Sequence, residues 1–139
     1  MRFYIKCMLF MIIILCFFSM NSYAYQSEIE LVEDSLFHCF SYDLIHPNPM
    51  AQTSGIFTYF TIPETCMVSI SILDTTLNTI YEFKAKQMAP GRYIVRWNFR
   101  NNSGDTVSSG LYYMDLLAEG ASNKNLNRYS CRQKIVVIP

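Results

Sequence analysis

Residues 90–114 read PGRYIVRWNFRNNSGDTVSSGLYYM, and this stretch decides the fold. It holds two runs in which every second residue is large and apolar, which is the period of a strand with one buried face. The residues that share these faces are Tyr93, Val95 and Trp97 in the first run, and Tyr112, Met114 and Leu116 in the second. Between the runs lies the turn-forming sequence NNSGD, in which Gly104 can take a positive φ without steric cost. The stretch predicts two strands, paired as a hairpin or crossing between sheets, that anchor a β-sandwich through the chain's single tryptophan.

Short alternating runs separated by turn residues continue along the rest of the chain. The runs at 56–62, 67–73, 80–83 and 132–138 have the pattern of strands, and no segment keeps the period of an amphipathic helix. About seven short strands with turns between them are typical of an immunoglobulin-like or fibronectin-III-like fold. We therefore predict an all-β sandwich of that class.

The first 24 residues have the pattern of a secretory signal peptide. Arg2 and Lys6 give a positive start, residues 8–20 carry no charge, and residues 22–24 (SYA) form a small-x-small cleavage site. The alternatives are a transmembrane anchor, for which the run falls short of about 20 residues, and a lipoprotein anchored through Cys16. We expect an exported protein with no stable membrane span after signal removal, located in the periplasm, on the outer surface or outside the cell.

Two regions follow the signal peptide. Residues 25–46 are predicted to form an acidic N-terminal arm or a leading strand, and the sandwich domain is predicted to occupy 47–139. Residues 28–43 carry five acidic and no basic side chains, whereas residues 84–134 carry nine basic and three acidic ones. Two separate solvated surfaces are the favoured interpretation, and docking of the arm on the basic half is the alternative.

Charge and cysteine content narrow the partners and the compartment. Loss of Arg2 and Lys6 from the 11 basic residues leaves 9 against 11 acidic ones, so we predict no nucleic-acid partner. Three cysteines stay in the exported part, and an oxidising compartment favours one disulfide. We predict a Cys39–Cys131 bond between the N-terminal segment and the last strand, with three buried thiols as the alternative.

The motifs PNP (47–49), VSISILD (68–74), PGRYIVRWN (90–98), VSSGLYY (107–113) and K-IVV (134–137) occur in this order. In combination they resemble the Ig-like domain of flagellar hook-capping proteins over residues 45–139. The resemblance implies structural roles for Pro47, Asn48, Pro49, Asp74, Gly91, Trp97, Asn98, Gly104, Gly110, Tyr112 and Lys134. Leu77 and Phe99 stand where that family usually has glycine. In the turn at 74–78, which contains Leu77, we expect Asn78 to supply the left-handed residue instead.

The chain also resembles the C-terminal sorting domains of type IX secretion. The shared features are the PNP start, the Gly-x-Tyr strand at 110–112 and the β-branched run after Lys134. Hook-capping proteins carry no secretory signal, so the first resemblance implies a fold rather than a flagellar role. The second implies recognition by a secretion machine.

The residues do not predict catalysis, a metal or a cofactor. His38, His46, Cys39 and Cys66 match no metal-ligand spacing, and the 101–105 turn offers one carboxylate where a calcium loop needs several. No Gly-x-Ser-x-Gly motif is present. One candidate binding face remains, formed by the aromatic and basic residues Tyr112, Tyr113, Arg92 and Arg96.

These observations predict an exported, non-catalytic Ig-like sandwich with a structural or interaction role in the bacterial envelope or at the cell surface. Its partner would be a protein of the envelope or of a secretion machine, because sandwich edge strands can accept a partner strand. A type IX sorting or anchoring domain is the first alternative. A secreted carbohydrate-binding module is the second.

Overall fold

The computed structural model describes residues 26–33, 39–52, 55–121 and 127–139. Within them the chain is all-β and forms two sheets, of four and five strands. The signal-peptide prediction falls on residues 1–24, outside the described residues. The strands in chain order are β1 (Glu28–Glu33), β2 (Ser41–Tyr42), β3 (Met50–Ala51), β4 (Ile56–Ile62), β5 (Cys66–Leu73), β6 (Thr79–Met88), β7 (Gly91–Trp97), β8 (Gly110–Gly120) and β9 (Arg128–Ile138).

The two strands of the 90–114 stretch lie in different sheets. The four-stranded sheet has the order β1-β7-β4-β2, and the five-stranded sheet has the order β3-β9-β8-β5-β6. The stretch therefore crosses between sheets, and the hairpin alternative is wrong. Alternation left this open because it reports which face of a strand is buried and says nothing about the neighbouring strand.

Strand limits agree with the sequence where a strand is buried and depart from it along exposed stretches. β4 has the predicted bounds, whereas β6 and β9 are longer than the predicted 80–83 and 132–138. β6 is an edge strand in which only Phe83 and Met88 are buried. The apolar alternation fades along such strands because one side of them faces solvent, so the pattern underestimates their length.

One hydrophobic core joins the two sheets around Trp97. Its fully buried ring contacts Phe99, with centroids 5.2 Å apart, and Tyr112 of the opposite sheet, with centroids 5.8 Å apart. The indole N–H donates to the Arg100 carbonyl at 2.9 Å, so its polar atom is satisfied. Burying a large apolar side chain contributes about 1.5–3 kcal/mol. The other large, fully buried side chains are Phe60, Ile56, Ile62, Ile70, Ile72, Met114, Leu116 and Ile135.

The acidic N-terminal residues dock on the basic half of the chain. β1 pairs antiparallel with β7, and the Arg96 guanidinium contacts the carboxylates of Glu28 at 3.2 Å and Glu30 at 2.8 Å. Arg92 forms a further ion pair with Asp43 at 2.7 Å. The favoured interpretation of two separate solvated surfaces is therefore wrong. Since these carboxylates are about half exposed, each pair is worth only about 0.2–1 kcal/mol.

Candidate functional site

Residues 39–52, here called the strap, close one side of the two-sheet domain. The backbone of β2 in the strap pairs with β4, and the Asp43 N–H donates to the Tyr59 carbonyl at 2.8 Å. On the other side the Gln133 side chain of β9 acts like a peptide group. Its amide donates to the Asp43 carbonyl at 2.8 Å and its oxygen accepts from the Ile45 N–H at 2.9 Å. The strap thus connects the four-stranded sheet to the five-stranded sheet.

The strap brings together two of the motif residues. The Asn48 amide donates to the Lys134 carbonyl at 2.7 Å, and its oxygen accepts from the Val136 N–H at 2.9 Å. Pro47 and Pro49, on either side of Asn48, both follow cis peptide bonds. Beyond them β3 pairs in parallel with the end of β9. Asn48 therefore covers the edge of the last strand, and Lys134 contributes its backbone while its side chain is exposed.

Two aromatic side chains, Phe40 and Tyr42, lie at the start of the strap. Phe40 stacks on Tyr129, with ring centroids 5.0 Å apart. Burial raises the pKa of the Tyr42 hydroxyl far above its ordinary value, and the thiol of Cys131 adds to the increase. This hydroxyl oxygen is buried and finds no hydrogen-bond partner in the described part of the chain. It is therefore a buried polar group whose hydrogen bond is unsatisfied.

The predicted Cys39–Cys131 bond is not formed in the structure, where both residues and Cys66 are free thiols. Cys39 precedes Phe40, whose ring stacks on Tyr129, and Tyr129 precedes Cys131 by two residues in β9. The bond stays a prediction, because its formation also depends on the redox state of the compartment. Intact mass with and without reductant tests it.

A tyrosine corner opens each of the two central strands. The Tyr93 hydroxyl donates to the Ala89 carbonyl, and the Tyr112 hydroxyl donates to the Ser108 carbonyl, both at 2.8 Å. In each case the tyrosine stands two residues after a glycine, and burial raises the pKa of its hydroxyl. Each bond ties the start of a strand to the connection that precedes it. The repeated Gly-x-Tyr at 91–93 and 110–112 marks Tyr93, although the family resemblance does not single it out.

Gly91 and Asn98, at opposite ends of β7, contact the segment that contains β1. A Cβ at Gly91 would lie 2.9 Å from the Glu33 carbonyl oxygen, which is closer than real Cβ atoms approach, and 3.0 Å from Leu31 Cδ1, which is a tight contact with a side chain. At the other end of β7, the Ser27 hydroxyl donates to the Asn98 side-chain oxygen at 2.7 Å and accepts from the Asn98 backbone N–H at 3.1 Å. These two motif residues position the first strand.

Asp74 organises the turn between β5 and β6. One carboxylate oxygen accepts from the Thr76 N–H, the Thr76 hydroxyl and the Asn78 N–H at 2.7–2.9 Å, and the other accepts from the Asn78 amide at 3.2 Å. The hydrogen bond from the Thr76 hydroxyl is the main cause of a lowered Asp74 pKa. Leu77 has φ 65° and is 53% exposed. The expectation that Asn78 supplies the left-handed residue is wrong, because Leu77 does so.

The 101–105 segment is a turn, as predicted. The Asn101 side chain accepts from the Ser103 and Asp105 N–H groups, and Gly104 has φ 88°. Asn102 extends the turn onto β6: its N–H donates to the Ile80 carbonyl, and its side-chain oxygen accepts from the Glu82 N–H. The turn therefore covers the first part of the outer edge of β6.

The predicted aromatic and basic face does not form. Tyr112 is buried in the core, Tyr113 lies on the outer face of the five-stranded sheet, and Arg92 and Arg96 lie on the four-stranded sheet. The predicted face requires β7 and β8 to lie in the same sheet, and they lie in different sheets.

The outer face of the five-stranded sheet instead carries a shallow hollow of about 520 Å³. An ion pair between Asp115 and Arg132 lies at its centre, with two hydrogen bonds of 2.5 and 2.6 Å. Three serines also line it, at positions 69, 71 and 130. The Asp115 and Arg132 charges match each other, and Arg128, which also lines the hollow, lies 3.6 Å from the Glu119 carboxylate, so the hollow combines hydroxyl groups with paired charges.

Two absences concern residues 26–33, 39–52, 55–121 and 127–139. No three side chains among His, Cys, Asp and Glu come close enough there to hold a metal ion. No helix in those ranges is long and apolar enough to cross a membrane.

Comparisons with known proteins add little to this geometry. No protein-family model matches the chain, and no curated protein matches it. Among solved structures the chain is similar to PorZ, an essential bacterial surface component of the type-IX secretion system of Porphyromonas gingivalis. The two are 23% identical with a TM-score of 0.40, over 68% of this chain and 11% of that chain. This chain therefore spans about a tenth of the length of PorZ, and a likeness at this level carries no argument.

Proposed function

We propose that this chain is an exported, non-catalytic Ig-like β-sandwich that binds another protein of the bacterial envelope or cell surface. The secretory pattern of residues 1–24 supports export, and the motif series from Pro47 to Lys134 supports the Ig-like class. The single observation that carries a binding role is the conformation and exposure of Leu77.

Leu77 combines an unfavourable backbone with an exposed apolar side chain. A left-handed conformation costs a residue with a Cβ about 1–2 kcal/mol, and glycine avoids most of that cost. Burial does not offset the cost here, because about half of the side chain faces solvent. Strain that is retained at an exposed position is a reason to infer function.

The turn around Leu77 is also preorganised. The Asp74 carboxylate fixes it through hydrogen bonds to Thr76 and Asn78, and the Leu77 N–H donates to the Asp74 carbonyl at 3.0 Å. A side chain on a fixed turn loses little conformational freedom when it enters a pocket of a partner. Leu77 is therefore suited to be the apolar anchor of an interface.

Site-specific photo-crosslinking in the native host tests this role. Leu77→p-benzoylphenylalanine is expected to form an adduct with one discrete envelope protein. Leu44→p-benzoylphenylalanine is the matched control, because Leu44 is 71% exposed but lies on the strap. No adduct from position 77, or the same adducts from both positions, would contradict the proposal.

A type IX sorting or anchoring domain is the second candidate function. The observation that favours it is the pair of hydrogen bonds that the Asn48 side chain forms, donating to the Lys134 carbonyl and accepting from the Val136 N–H, because they join the PNP motif to the last strand. Terminal-mass analysis after cell fractionation separates the two proposals. A chain ending at Pro139 supports the binding module, and a chain cut before Lys134 supports a sorting domain that has been read and removed.

The carbohydrate-binding alternative finds less support. Sugar-binding surfaces commonly stack a ring on an exposed aromatic side chain. The large apolar side chains that are exposed in the described ranges are all aliphatic: Leu31, Val32, Leu44, Met67, Leu77 and Ile138.

A further inference from the structure

β1 is held to its sheet mainly by its backbone and by charge. Of its six residues only Ile29 is half-buried, and Leu31 and Val32 are 50% and 52% exposed. It pairs on one edge only, with β7. Little buried apolar area becomes exposed to solvent when such a strand detaches. β1 therefore belongs to the part of the molecule that opens at the lowest free energy.

The edge of β7 is shaped for an acidic strand. Gly91 leaves the space that the Glu33 carbonyl and the Leu31 side chain occupy. Arg96 contacts two carboxylates at alternate positions of β1, Glu28 and Glu30. The steric notch and the paired charges define the polarity and the register of an incoming strand. A one-residue slip would place Ile29 at the guanidinium instead.

The other long edge strand, β6, carries features that prevent strand addition. Its pairing with β5 is interrupted by two register shifts, and Asn102 covers the Ile80 and Glu82 backbone groups. Lys84 and Lys86 are exposed along the rest of it. Bulges and lysines are the usual protections of an edge strand. Strand exchange is therefore expected at β7 rather than at β6.

We propose that the β7 edge is a strand-docking site whose second occupant is the β1 segment, residues 26–33, of another copy of this chain. The charge complementarity between Arg96 and the alternate glutamates is the same within one copy and between two. The exchanged dimer reproduces every contact of the closed monomer, so protein concentration decides between them. This proposal goes beyond the role of Leu77 and does not rest on it.

A labelled peptide tests the docking site directly. The probe is QSEIELVE, the sequence of residues 26–33, carrying a fluorophore, and fluorescence anisotropy reports its binding to the purified protein with reductant present. We expect saturable binding of this peptide to the natural protein. A peptide with Glu28→Lys and Glu30→Lys is expected to bind Arg96→Glu at least tenfold more tightly than the natural protein, because the new glutamate attracts the lysines and repels the chain's own β1. Binding that ignores this charge reversal, or no saturable binding at about 1 mM peptide, overturns the proposal.

Native mass spectrometry of two differently tagged copies supplies a second readout. Mixed dimers are expected to appear after mixing and to grow with protein concentration. An Arg96→Glu copy mixed with a Glu28→Lys, Glu30→Lys copy has repulsive charges within each chain and matched charges between chains, so mixed dimers are expected to form at lower protein concentration than in the natural protein. A chain that is monomeric at every concentration, or a charge-exchanged pair that forms no more mixed dimer than the natural protein, would overturn exchange through β7.

Discussion

Leu77 and Phe99 share one unusual backbone feature in opposite surroundings. Both are non-glycine residues with positive φ, 65° and 59°, and both stand where the resembled family usually has glycine. The Phe99 side chain is fully buried against Trp97, whereas the Leu77 side chain is half exposed. At Phe99 burial in the core offsets the backbone cost, whereas at Leu77 the side chain is too exposed for burial to do so. A positive φ is thus a packing solution in one turn and a candidate functional feature in the other.

The largest test of this comparison replaces Phe99 with alanine and with glycine. Phe99→Ala is expected to destabilise the protein by about 3–5 kcal/mol, because it removes a buried aromatic ring and keeps the backbone cost. Phe99→Gly loses the same ring but relieves the backbone, and its loss is expected to be smaller by about 0.5–1.5 kcal/mol. Denaturant titration of both variants measures the difference. Equal stability of the two would mean that the backbone at Phe99 is not under strain.

The same two substitutions at Leu77 are expected to cause no loss of stability. Leu77→Gly is expected to stabilise by about 0.5–1.5 kcal/mol, since it relieves the left-handed backbone and removes little buried area. Leu77→Ala is the matched control and is expected to be close to neutral, because it keeps a Cβ. The Gly-to-Ala difference in denaturant midpoints is expected to match that at Phe99. A destabilised Leu77→Gly variant would show that the side chain already supports the fold.

The sequence predicts the buried part of this fold better than its edges. The alternation around Trp97 and in β4 gave the correct faces, because a core contacts every second residue of a strand. The length of β6 was underestimated because solvent leaves no such pattern. The docking of β1 was ranked second because composition reports how many charges a segment carries and not which charges meet. Only the β1–β7 register places Arg96 beside Glu28 and Glu30.

The candidate site was predictable only where one residue type has a local role. Asp74 and Gly104 were recognised as turn residues, since a short carboxylate and a glycine suit tight turns. The positive φ of Leu77 was assigned to Asn78, which is the cheaper residue for that conformation. Gln133 has no local signature at all. It bridges the strap only because the fold brings residues 43–45 beside β9.

Tyr42 carries a different unfavourable feature, a buried hydroxyl without a hydrogen bond in the part of the chain that the structure describes. Its buried hydroxyl has no hydrogen-bond partner in the described residues, whereas the Tyr93 hydroxyl is satisfied by the Ala89 carbonyl. Tyr42→Phe is expected to be neutral or to stabilise by up to about 1 kcal/mol. Tyr93→Phe is the matched control and is expected to destabilise by about 1 kcal/mol. Thermal unfolding of both variants checks the signs, and a clear loss in Tyr42→Phe would mean that its hydroxyl is bonded in solution.

The smallest expected effect concerns pH and separates the two turns by their chemistry. The Leu77 turn depends on the Asp74 carboxylate, whereas the 101–105 turn, which begins two residues after Phe99, is held by the neutral amide of Asn101. The folded pKa of Asp74 is lowered, so its stabilising contribution is complete above the ordinary value of about 3.9 and is lost as pH falls through the lowered one. Asp74→Asn keeps the shape but removes the charge. Its melting temperature relative to the natural protein is therefore expected to be lower at neutral pH and to converge with it in acid. A gap that stays constant from pH 7 to pH 2 would show that the charge of Asp74 does not hold the turn, and that Leu77 is positioned by backbone hydrogen bonds alone.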